Sequence, residues 1–209
     1  ETLDTQLNVF ADFQPKIPAS YQESSYLFLG NIHPSLQEDV VDQVHNPKLI
    51  GCDTMNFWIT GEPEALNKLL AKIDLLVINE GEARLLSGEK MMNRAVEKIK
   101  AFGPKIIVIK KGGHGASLYH PEGQFHVPAY PLESLSDPTG AGDSFASGLM
   151  GHIVQKDSVD FKTFKTALLY GTVMASFACE AFSFDRTIEL SQTEIQERFE
   201  QLKAMISLD

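Results

Sequence analysis

The chain has 209 residues, 43% of them hydrophobic and 22% charged, which suits a globular domain with a substantial core and not a disordered or fibrous chain. A formal net charge of −10 argues against a broad nucleic-acid or anionic-membrane surface, so an anionic ligand must be held by local amides and a few cations. No apolar run is long enough to span a bilayer and no signal-peptide pattern opens the chain. Cys52 and Cys179, without a metal-ligand pattern, suit a reducing cytosol and read as buried small hydrophobes.

Residues 1–20 alternate weakly and end in Pro15 and Pro18, which predicts one strand or an extended arm. A rhythm then sets in. The apolar run Tyr26–Leu29 ends in Gly30-Asn31, and Pro34-Ser35 opens a helix to about Val44. Leu49–Cys52 is followed by a helix over about 63–73. Leu75–Ile78 precedes helices near 80–86 and 91–102, and Ile106–Ile109 is the fourth run. Short Val/Ile/Leu runs, each trailed by a helical stretch, predict buried parallel strands with crossover helices. A hairpin follows over 116–119 and 124–128 around Pro121-Glu122-Gly123. Helices are expected over about 143–155, 161–179 and 193–206, the last capped by Ser191 or Thr193. Without repeats or linkers, residues 1–209 read as a single α/β domain.

The most informative stretch is Ser136-Asp137-Pro138-Thr139-Gly140-Ala141-Gly142-Asp143-Ser144-Phe145. A tight Pro/Gly turn opens straight into a helix-spaced apolar run. The amides of Gly140, Ala141 and Gly142 are therefore expected at the positive end of a helix, where an anion binds. Asp143 stands beside them, able to accept a proton from an attacking hydroxyl while the amides stabilise a transferring phosphoryl group. The plain alternative is a helix cap. No Walker A loop and no complete dinucleotide fingerprint is present.

This block resembles the second signature of the ribokinase-like carbohydrate kinases, the phosphofructokinase-B type. The resemblance implies a three-layer α/β/α, Rossmann-like and mostly parallel sheet. It also implies an ATP-dependent kinase that passes the γ-phosphoryl group to a sugar hydroxyl, with Asp143 as base. A nucleoside kinase of the same family, or a non-catalytic nucleotide-binding relic or scaffold, stays open. The N-terminal strand, most of the lid and the first signature that holds the acceptor have no counterpart here. The expectation is therefore a nucleotide-binding and catalytic portion that is impaired alone or completed by another chain.

In open α/β sheets ligands sit beyond the carboxyl ends of the strands, so the residues after each run are candidates. Asn31 follows the first. Asp53 and Asn56 follow the second, similar to the family's Asp-x-Asn-x-Arg segment but with Trp58 for the Arg, which argues against an acidic acceptor. A strand-end Asx turn explains Asp53 and Asn56 equally well. Asn79 and Glu82 match the family's Asn-x-x-Glu motif, associated with Mg2+ and the nucleotide phosphates, and they also spell a capping box; both can hold at once. Gly112 and Gly115 keep the glycines of the family's nucleotide turn, with Lys110 at the position of its Thr. Asp137 and Thr139 stand where the family can bind a monovalent cation such as K+. Adenine is expected against residues 172–182 and the loop beyond. His114, His120 and His126 share no helical face, so no metal cluster is expected. The implied partners are a small sugar or nucleoside acceptor, not nucleic acid or membrane; a homodimer is allowed, and the compartment implied is the cytoplasm.

Overall fold

The computed structural model describes residues 13–207. The strand or arm expected over 1–20 lies outside the described residues for 1–12, residues 13–18 have no regular structure, and a single helical turn follows, α1 (Ala19–Gln22). The chain falls into two compact units, Glu1–Lys105 and Ile106–Asp209.

In the first unit, β1 (Tyr26–Leu29), β2 (Leu49–Asp53) and β3 (Leu75–Asn79) pair in parallel in that order. Leu75 to Ile78 are completely buried, which is why a continuous apolar run, not an alternating one, makes this strand. Around them lie α2 (Pro34–Val41), α3 (Asn56–Gly61), α4 (Pro63–Leu70), α5 (Glu80–Ser87) and α6 (Met92–Lys100). Proline occupies the first turn of α2 and α4, where its missing N–H costs nothing. Leu66, Leu69 and Leu70 then bury one helical face of α4, and Ala95, Val96 and Ile99 do the same for α6.

The second unit begins with β4 (Ile106–Lys110), β5 (Ala116–His120) and β6 (Gly123–Val127), an antiparallel meander. A 3-10 turn at Gly112–His114 joins β4 to β5. Gly115 closes it at φ 85°, where a Cβ would strike the Val127 carbonyl, so only glycine fits. The helices are α7 (Ala141–Lys156), α8 (Phe161–Ala178), α9 (Asp185–Ile188) and α10 (Gln192–Ala204).

Two glycines bring α7 and α8 to backbone contact. A Cβ on Gly148 would lie 2.6 Å from the Tyr170 carbonyl oxygen, and one on Gly171 would lie 2.9 Å from that of Phe145. Gly148→Ala therefore has to push the helices apart. The expected cost is about 1–3 kcal/mol, read as a fall of several degrees in the unfolding midpoint; an unchanged midpoint would mean the pair yields freely.

The end of α8 is held by charge. Glu180 takes Arg198 at 2.6 Å and Arg186 at 3.1 Å, and the Arg198 guanidinium lies 3.5 Å over the Phe177 ring. Arg186 also reaches Glu194 at 2.7 Å. The Glu194 carboxyl is pulled down to about 2, by the N–H and hydroxyl of Ser191 in the α10 capping box before Arg186. Cys52 is buried as expected. Cys179 is only half-buried, because it is the cap residue just past the end of α8.

His152 on α7 stacks on Tyr170, which stacks on Phe199, at 4.8 and 4.4 Å. Burial first, and Lys156 second, hold its imidazole below the usual histidine range. A depressed histidine stabilises the fold fully above its unfolded value of about 6.5, and loses that contribution as pH falls through the folded value. The wild-type midpoint should fall more steeply below that pH than that of His152→Phe. Parallel curves would remove His152 from the acid sensitivity.

Candidate active site

The signature turn is built from both ends. Ser136 donates its N–H to the Cys179 carbonyl and its hydroxyl to the Glu180 carbonyl, both at 2.9 Å, which ties the entry of the turn to the end of α8. Asp137 Oδ1 accepts the Thr139 N–H at 2.9 Å, an Asx turn, and that bond first of all lowers its pKa. Gly140 caps α7 at φ 80°, a left-handed conformation that suits glycine.

The amide pattern differs from the expected one by a shift of position. The Ala141 N–H turns back to the Pro138 carbonyl at 3.1 Å, and Ser144 N–H bonds the Gly140 carbonyl at 2.9 Å. The N–H groups of Gly140, Gly142 and Asp143 have no acceptor among the described residues. The sequence reading groups the Ala141 amide with those of Gly140 and Gly142; in the tight Pro138–Ala141 turn it is bonded instead, and the Asp143 amide is the one left unpaired. The Asp143 carboxylate stands exposed in the first turn of α7, with no hydrogen bond or ion pair among the described residues.

Lys110, at the end of β4, reaches the same place. Its Nζ lies 3.2 Å from where a Cβ on Gly142 would stand. No carboxylate among the described residues pairs with it. An ammonium beside a helix start is two positive features together, an arrangement that a bound anion relieves. Gly112 is exposed in the adjoining 3-10 turn, while Gly115 is buried and closes it.

In the first unit, Asn79 and Glu82 form the capping box of α5. Glu82 N–H donates to Asn79 Oδ1 at 2.9 Å, and Asn79 N–H donates to Glu82 Oε2 at 2.8 Å. Glu82 is nearly buried and Asn79 is exposed. Among the described residues no group of three or more His, Cys, Asp or Glu is arranged to hold a metal ion. The donors present suit a hydrated Mg2+ that arrives with phosphates and keeps most of its waters.

At the carboxyl ends of β1 and β2, Gln37, which the sequence reading passed over, links the two strand ends, and Trp58 holds Asn31. Gln37 Nε2 donates to the Gly30 carbonyl at 2.8 Å and the Asp53 carbonyl at 3.3 Å. Trp58, only 4% exposed, donates its indole N–H to Asn31 Oδ1 at 2.9 Å. Trp58, which stands where the family's segment has an arginine, is thus a buried partner of Asn31. Asn56 opens α3, exposed, and its carbonyl accepts the Thr60 hydroxyl at 2.9 Å.

Comparison with known proteins adds the family. A model of the pfkB family of carbohydrate kinases matches residues 11–189. The cytidine kinase of Thermococcus kodakarensis is 27% identical over 143 residues, 64% of this chain and 49% of that protein. The Methanocaldococcus jannaschii nucleoside kinase, an archaeal member of the ribokinase family, superposes with a TM-score of 0.74 at 19% identity, over 93% of this chain and 60% of that one. A structure from E. coli assigned as ribokinase II, in complex with ATP and Mg2+, gives 0.69 at 25% identity, over 85% and 59%. The chain spans about half the length of the cytidine kinase. The fold is the ribokinase-like α/β fold that the resemblance implies. With most of its length matched and the Asp137–Asp143 turn built as described, the chain belongs to the pfkB family of carbohydrate kinases.

Proposed function

We propose that the chain is the nucleotide-binding and catalytic portion of an ATP-dependent kinase that phosphorylates a sugar hydroxyl. One observation supports this reading: Lys110 Nζ lies 3.2 Å from where a Cβ on Gly142 would stand, at a helix start whose Gly140, Gly142 and Asp143 amides have no acceptor among the described residues and whose first turn carries Asp143. Asp143 accepts the acceptor's hydroxyl proton as the hydroxyl oxygen bonds to the γ-phosphorus and the bond from that phosphorus to the bridging oxygen breaks, releasing ADP. The Gly140, Gly142 and Asp143 amides and Lys110 bear the charge on the phosphoryl oxygens. Mg2+, when bound with the nucleotide, neutralises phosphate charge, and Asn79 and Glu82 would hold it through its waters. Gly112 and Gly115 shape the turn along the nucleotide. Adenine lies against α8 and the loop beyond, where Phe182 and Phe184 are exposed aromatic surface. Asp137 and Thr139 are assigned to a monovalent cation, and Asn31, Asp53 and Asn56 to the acceptor. Among the described residues no helix is long and apolar enough to cross a membrane, and we place the protein in the cytoplasm.

A nucleoside acceptor is the second reading, favoured by the likeness to a cytidine kinase. Titrating Mg·ATP into the folded chain by calorimetry, then following ADP formation with D-ribose, D-fructose and cytidine, separates the readings. Binding without turnover fits both a nucleotide-binding scaffold and a catalytic portion that is impaired alone, and repeating the acceptor screen with an N-terminally extended chain separates the two. No binding to a folded chain rejects the kinase reading.

A further inference from the structure

The carboxyl ends of β1 and β2 hold a cluster that the phosphoryl chemistry does not use. Its centre is Trp58, the only tryptophan of the chain. Phe57 meets its ring edge-on at 4.7 Å and His33 at 5.1 Å. His33 is itself fixed: its Nδ1 accepts the Ser35 N–H at 3.1 Å, which puts the proton of the neutral ring on Nε2, 3.7 Å from Glu62. The indole is therefore locked, and its single N–H is aimed at Asn31.

That aim has a consequence for the amide. An asparagine side chain on an exposed loop has two orientations that exchange its oxygen and nitrogen. An indole is a donor only, so it accepts one of them and excludes the other. Asn31 Oδ1 is held inward, and Nδ2 becomes the outward end, with two N–H donors that have no acceptor among the described residues. The aromatic neighbours carry no fixed cation, so this end suits a neutral oxygen and not a carboxylate or phosphate.

We infer that Trp58 is a positioning residue, which turns Asn31 so that its Nδ2 donates to an uncharged hydroxyl or ring oxygen of the acceptor's sugar. The inference rests on the reading of the chain as a sugar or nucleoside kinase. It names Asn31 as the contact and Trp58 as the residue acting through it.

The lone tryptophan supplies the readout, a single indole N–H resonance. Titration of the chain with D-ribose, D-fructose and cytidine should move that resonance saturably for at least one of them. Asn31→Asp keeps the acceptor for the indole but loses the donors. It should weaken that probe about 3- to 10-fold, a hydrogen bond's worth, while leaving the unfolding midpoint unchanged. Trp58→Phe keeps the ring packing, loses the indole donor, and should weaken the probe by a similar factor in calorimetry. The double variant should bind no more weakly than Asn31→Asp alone. Losses that add overturn the inference, as does an indole resonance that no probe moves. Mg·ATP binding is measured in parallel. ATP binding with a silent indole overturns the Trp58–Asn31 role and leaves the kinase reading standing. A responsive indole without ATP binding supports that role and rejects the kinase reading.

Discussion

On the proposed kinase reading, Asp143→Asn should lower phosphoryl-transfer turnover about 10²- to 10⁴-fold, the range for removing a general base, while Mg·ATP binds within a few-fold of the wild-type affinity. The reason is positional. Asp143 is exposed at the head of α7 and pairs with nothing among the described residues, so the substitution removes proton-accepting power without opening a hole or orphaning a partner. The amide at position 143 is unchanged, so the proposed phosphate cradle survives. Single-turnover rates and calorimetry on the same samples check both halves. Retained turnover would reject Asp143 as the base; lost ATP binding would assign it to nucleotide recognition instead.

Lys110→Met should weaken Mg·ATP binding or turnover about 10- to 100-fold, the size of a lost charge-assisted contact. The sign of its effect on stability distinguishes a ligand-binding cation from a structural one. Lys110 makes no ion pair among the described residues and lies beside a helix start, where a positive charge is unfavourable. The ligand-free variant should therefore melt at the wild-type temperature or slightly above it. A midpoint several degrees lower, with ATP affinity intact, would mean that the ammonium supports the fold.

Much of the fold was legible because its signals are local. Leu75–Ile78 is a buried strand on composition alone, the box at Asn79–Glu82 closes as the sequence spells it, and of the two caps the sequence allows for the last helix, Ser191 or Thr193, the structure uses Ser191. The segment Asn56–Gly61 was not legible as a helix. It is rich in aromatic and β-branched residues and has no side-chain cap, and what makes it helical is burial of Trp58 and Ile59, a tertiary event. The short α9 likewise depends on Arg186 finding Glu180 and Glu194. At the site, the Gly-Ala-Gly turn predicts amides free to meet an anion at the start of α7, but which amides stay unpaired depends on how tightly Pro138 turns. The approach of Lys110 to Gly142 joins residues far apart in the chain, and no local pattern records it.

The three unpaired amides also give the cradle a distinctive time signature. The body of α7 is bonded and buried through Phe145, Ala146 and Leu149, so its protons trade with solvent slowly. Gly140, Gly142 and Asp143 have no such shelter, and the Ala141 proton between two of them does. The helix thus opens with slow protons at Ala141 and Ser144 that bracket the fast pair Gly142 and Asp143, with a further fast proton at Gly140, and on the proposed kinase reading a bound phosphate slows the fast set.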